Sequence, residues 1–176
     1  MMKLRVLIFL ISTILVHSGC GMKNHKDFAF TSPEFRFDAG VIHAKLRGTM
    51  DNLNKNTSVN HAPYEMLIWF SIEDAENIIG CTLSLNSITL NNLEADKFVP
   101  VPKTGHASFR QKSDGTFIAS ISYKNLDIEY ADHQLEFFYS FENQCRLIGL
   151  PIPVKMEFKK DYSERNISFW DVLMGV

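Results

Sequence analysis

The sequence predicts an all-β chain folded as a single antiparallel β-sandwich, of which the immunoglobulin-like sandwich is one form, followed by a short C-terminal helix or tail. Three observations carry that prediction. Apolar residues recur with period two in short runs, turn residues separate those runs, and no helical stripe of any length occurs before the C-terminus. Composition agrees: 45% of residues are hydrophobic, 22% charged and 12% aromatic, with 14 Phe, a mixture that suits strands in a packed core. About eight short strands in one domain over residues 28–176 fit a sandwich, with a small barrel as the alternative.

The runs are legible in order. Ile42, Ala44 and Leu46 alternate with His43, Lys45 and Arg47, which predicts a half-buried strand with His43 facing water. Residues 51–63 hold Asp51, Asn52, Asn54, Asn56 and Asn60 and read as a loop. Residues 64–72 are apolar on both parities, as in a central strand covered on both faces. Residues 81–90 alternate, and Asn91-Asn92 opens a polar connection to Lys97. Pro100 and Pro102 restrict residues 98–102 to an edge strand or extended loop. Asp114-Gly115 lies between residues 107–111 and 116–123 and signals a hairpin, with Phe117, Ala119, Ile121 and Tyr123 facing one way. Residues 135–141 alternate most clearly. Val154, Met156 and Phe158 against Lys155, Glu157 and Lys159 give the last strand, after a bend over residues 148–153.

The first 19 residues read as an export signal. Lys3 and Arg5 precede an apolar run over residues 6–16, and small residues follow. That run is shorter than the roughly 20 residues a spanning helix needs. Ser18-Gly19-Cys20 resembles the lipobox of bacterial lipoproteins, with His17 where the family usually carries Leu. The resemblance covers the leader alone. It implies cleavage before Cys20, a diacylated Cys20, and residues 20–27 as a lipidated tether. Gly21 after the Cys, where Asp is absent, implies the outer membrane, facing the periplasm.

Setting Cys20 aside leaves Cys81 and Cys145. Two cysteines in an exported domain predict a disulfide, and both share parity with core-facing neighbours: Cys81 with Leu83 and Leu85, Cys145 with Tyr139 and Phe141. No C-x-x-C spacing points to redox work.

Charge excludes some partners. The net charge is −2, and removal of Lys3 and Arg5 with the leader makes it −4, so the chain lacks the basic footprint of a nucleic-acid binder. No His pair has metal-site spacing, and no nucleophile elbow or phosphate loop occurs. The densest polar group is Asp127, Glu129, Asp132 and His133. It reads either as a carboxylate–histidine site or, more simply, as the turn between two strands. At the C-terminus, Ser168 and Asp171 resemble a capping box, and a short helix there would present Phe169, Trp170, Leu173 and Met174. Those side chains either close one end of the core or dock a partner.

The function expected is that of a lipid-anchored envelope protein acting as a non-enzymatic binding or assembly module. Its partners are the membrane, through the lipid, and an envelope protein; no cofactor is implied. One alternative is a small-ligand-binding lipoprotein, its mouth between the segments at 51–63 and 91–97. The other is a hydrolase or metal enzyme built on Asp127, Asp132 and His133.

Overall fold

The structure, a computed structural model, describes residues 23–73, 78–143 and 150–167. Twelve strands run through them: β1 (Lys23–Phe30), β2 (Glu34–Phe37), β3 (Gly40–Asn54), β4 (Thr57–Ile72), β5 (Cys81–Asn92), β6 (Lys97–Val99), β7 (Thr104–Ser108), β8 (Arg110–Gln111), β9 (Phe117–Leu126), β10 (His133–Asn143), β11 (Ile152–Phe158) and β12 (Lys160–Ile167). They form two sheets around one core, so the protein is an all-β sandwich. One sheet has seven strands, with the order β12-β1-β4-β3-β2 and with β9 and β8 continuing from β4. The other has five, ordered β11-β10-β5-β6, with β7 also on β5. This is larger than the four-plus-three arrangement of an immunoglobulin constant domain. One pair departs from the antiparallel pattern: β1 runs parallel to β4.

Period-two patterning places the core where the alternation predicts. Ile42, Ala44 and Leu46 on β3 meet Leu135, Phe137 and Tyr139 on β10 and Val154, Met156 and Phe158 on β11 across a single buried cluster. Phe117, Ala119, Ile121 and Tyr123 all turn inward from β9. The parity of β5 changes part-way, from Leu83 and Leu85 to Ile88 and Leu90. A bulge causes it: Ser87 takes a φ of 54°, and the register with β10 shifts between Glu136 and Phe138. The Asp114-Gly115 turn joins β8 to β9 as expected, with Gly115 at a φ of 90° and the Asp114 carboxylate accepting from the Thr116 N–H at 3.0 Å. The strand before it divides at Phe109, so that β7 belongs to one sheet and β8 to the other. Among the two readings for residues 98–102, the edge strand holds for Lys97–Val99 and the extended connection for the prolines.

Five sequence expectations are corrected. Residues 51–63 are not a loop but the far half of a long β3–β4 hairpin, because ladder bonds to β3 and β1 outweigh the weak strand propensity of asparagine. Only Lys55 and Asn56 make the turn there, closed by the Asn56 N–H donating to Asn54 Oδ1 at 2.8 Å. Residues 23–27 are not a tether; they open β1, which pairs with β4 and β12. β11 is not the last strand, since β12 follows it across to the other sheet. β4 is central between β3 and β9 but covered on one face alone: Met66, Ile68 and Phe70 are fully buried, while Leu67 and Trp69 lie half-buried outside. On that outer face His43 stacks on Trp69, ring centroids 4.9 Å apart, and reaches Glu34 at 3.2 Å, so it is half-covered and not simply solvated. The C-terminal helix expected after Ser168 lies outside the described residues.

Candidate functional site: an aromatic cleft between two sheet edges

β2 and β11 are edge strands of opposite sheets, and the sandwich is open between them. Along β2 the alternation turns Phe35 and Phe37 inward and Glu34 and Arg36 outward, so the edge contributes aromatic surface to the gap. Tyr139 and Phe141 enter from β10, Ile152 from β11, and Leu150 from the segment before it. The resulting cleft measures 370 Å³, within the range of sites that hold small molecules or a partner's side chains. Arg36, Asp38 and Ser140 are its polar members. At its rim Leu150 is 88% exposed and Ile152 45%, so the apolar surface continues outside the cleft.

Its floor is a set of rings in edge-on and tilted contact. The Tyr139 centroid lies 5.2 Å from Phe70, 5.5 Å from Phe37 and 5.6 Å from Phe141. Tyr139 is 1% exposed and its hydroxyl has no hydrogen-bond partner. Buried hydroxyls are normally satisfied, which sets this one apart from Tyr64, whose hydroxyl donates to the Phe28 carbonyl at 2.8 Å, and from Tyr123, which donates to Thr104 at 3.1 Å.

Burial pushes all three tyrosines up to about 12; at Tyr139 the nearby Asp38 charge adds to the effect. A group whose proton is held more tightly in the fold than in the unfolded chain contributes stability below its unfolded pKa and loses it as the pH climbs through the folded value. Stability from these residues is therefore complete up to about pH 10 and lost between there and about 12. Urea unfolding across that window, run beside an ultraviolet tyrosinate titration, should show the midpoint falling before the buried rings ionise. Tyr139→Phe should leave stability unchanged or raise it by about 1 kcal/mol, since it removes an orphaned hydroxyl. Tyr64→Phe should lower it by a similar amount.

The cluster read from sequence is not assembled. His133 is fully buried against Phe30, and its Nε2–H donates to the Glu129 carbonyl at 2.9 Å. Asp132 turns away and accepts the Lys160 N–H at 2.8 Å, Glu129 accepts from Asn92 Nδ2 at 3.0 Å, and Asp127 is exposed. Among the described residues no group of three His, Cys, Asp or Glu side chains is placed to hold a metal. The geometry is that of a turn between two strands, with His133 and Asp132 bound to backbone groups and Glu129 to the Asn92 side chain. Nor is a ligand mouth found between the two segments expected to form it. Residues 51–63 are two paired strands joined by the turn at Lys55 and Asn56, and the hollow beneath the turn after Asn92 measures 40 Å³.

Cys81 is 3% exposed and faces the core from the start of β5, as its parity predicts. Cys20, Cys145, Phe169, Trp170, Leu173 and Met174 lie outside the described residues. Sequence reasoning missed the cleft. The Phe35–Phe37 alternation was a signal for β2, but nothing local tells that this edge faces β11, more than a hundred residues away. It also missed His25, placed in the tether, which is buried with its Nδ1 3.0 Å from Ser58 Oγ. No helix among the described residues is long and apolar enough to cross a membrane. No protein family, characterised protein or solved structure matches the chain.

Proposed function

We propose that the protein is a lipid-anchored, non-enzymatic binding module of the bacterial envelope, which receives an apolar side chain of an envelope protein in the cleft between β2 and β11. The observation that carries the reading is the cleft together with its rim. A pocket built for a small molecule encloses its guest, whereas here Leu150 and Ile152 extend the apolar lining onto the open surface, where only a second macromolecule would cover them. The export segment and Cys20 supply the address, with the outer membrane as the destination that Gly21 favours.

A disulfide between Cys81 and Cys145 belongs to the same reading. The β5–β10 register ends with Asn143 opposite Cys81, two residues short of Cys145, and an exported compartment is oxidising.

Photo-crosslinking in intact cells tests the docking surface. With a photoreactive residue in place of Ile152, one discrete adduct is expected. The same residue in place of Ser120, exposed on the outer face of β9, should give none, and Leu150→Asp should abolish the adduct at 152. Equal adducts from both positions, or none from Ile152, would count against the cleft as the docking site.

A further inference from the structure

We propose that the end of the molecule formed by the β3–β4 hairpin tip is its bilayer-contacting end, with Met50 and Leu53 seated in the lipid interface. The inference rests on the lipid at Cys20. It then follows from where the register puts the chain. β1 and β12 pair along their whole length, so Lys23 lies opposite Ile167 and both ends of the described chain leave the domain side by side. They leave at the hairpin tip: the Lys23 ammonium donates to Asn52 Oδ1 at 2.5 Å, and the Asn24 N–H donates to the Asn56 carbonyl at 2.8 Å.

Two residues, Gly21 and Met22, separate Lys23 from Cys20, three steps along the chain and a reach of about 10 Å when extended. A lipid on Cys20 therefore holds the tip against the headgroups. The tip is built for that position. Met50 and Leu53 are 63% and 64% exposed, large apolar side chains with no core to enter. Lys55 stands exposed at the turn beside them, a cation where anionic headgroups would lie. The acyl chains supply attachment; the tip fixes orientation. β3 runs from the tip to Gly40, just past β2, a span of up to about 45 Å at the rise of a strand, so the aromatic cleft is held at the end away from the membrane.

Tryptophan quenching in vesicles tests this with the full lipidated protein, because the chain has two Trp and one of them is a built-in control. Trp69 lies 12 residues along β4 from Thr57, about 40 Å from the tip. Vesicles of phosphatidylethanolamine and phosphatidylglycerol with brominated acyl chains are the probe. L53W in a chain also carrying W69F and W170F should lose about half of its emission on binding, as expected of a ring at the interface. W170F, which leaves Trp69 alone, should lose none. A protein that floats with the vesicles yet is unquenched at position 53, or is quenched equally at Trp69, overturns the inference and leaves the anchor standing. A protein that does not float and carries no lipid overturns the anchor, and the inference with it.

Discussion

Replacing Phe70 with alanine is expected to lower the unfolding free energy by about 3–5 kcal/mol, the range for deleting a fully buried aromatic ring. Phe70 is 0% exposed and sits where the two sheets meet the cleft, with ring centroids of Tyr139 at 5.2 Å, Phe37 at 6.1 Å and Phe141 at 6.4 Å. Its removal takes away apolar burial and three edge-on partners at once, and β4, pinned between β3 and β9, cannot collapse into the space. The loss is a large fraction of the roughly 5–15 kcal/mol by which a folded domain is typically stable. Phe98→Ala is the control. That ring is 69% exposed, and its loss should move stability by no more than about 0.5 kcal/mol. Urea unfolding followed by tryptophan fluorescence separates the two.

Reduction, or Cys145→Ser, is expected to lower stability by about 4 kcal/mol, because the proposed bridge to Cys81 closes a loop of some 65 residues in the unfolded chain. Cys81 itself would remain as a small buried apolar group on β5, so the loss reports the cross-link and not a cavity. Unfolding midpoints with and without dithiothreitol measure the effect, and a thiol count in denaturant supports it. Two reactive thiols in the oxidised mature protein, with identical midpoints under both conditions, would remove the bridge.

Much of the fold was legible because a half-buried strand writes its burial into alternate residues. Leu135, Phe137, Tyr139 and Phe141 state the inward face of β10 outright, and Asp114-Gly115 states its own turn. What failed failed for physical reasons. The far half of the β3–β4 hairpin stands clear of the core, so residues 49–54 are exposed on both faces and carry no alternation to read. β1 and β12 are a mostly polar pair held together by their ladder, and that is equally silent in sequence. The parity of residues 64–72 misled because Leu67 and Trp69 are apolar on an outward face. His43, stacked on Trp69, covers part of that surface in place of a second sheet.

The site was less legible than the fold. Asp127, Asp132 and His133 drew attention by being close in sequence, but His133 donates to the Glu129 carbonyl of its own turn while Asp132 accepts the Lys160 N–H of β12, so the side chains do not converge. The cleft is the opposite case: Phe37, Tyr139 and Ile152 are distant in sequence and unremarkable singly, and they become a site only when two sheet edges face each other.

The envelope anchor and the bilayer-facing tip both depend on Cys20, so mass spectrometry of the mature N-terminal peptide is the most direct test. The account predicts a chain that begins at Cys20 with a diacylglycerol thioether on its sulfur. A chain that begins elsewhere, or an unmodified Cys20, would contradict it.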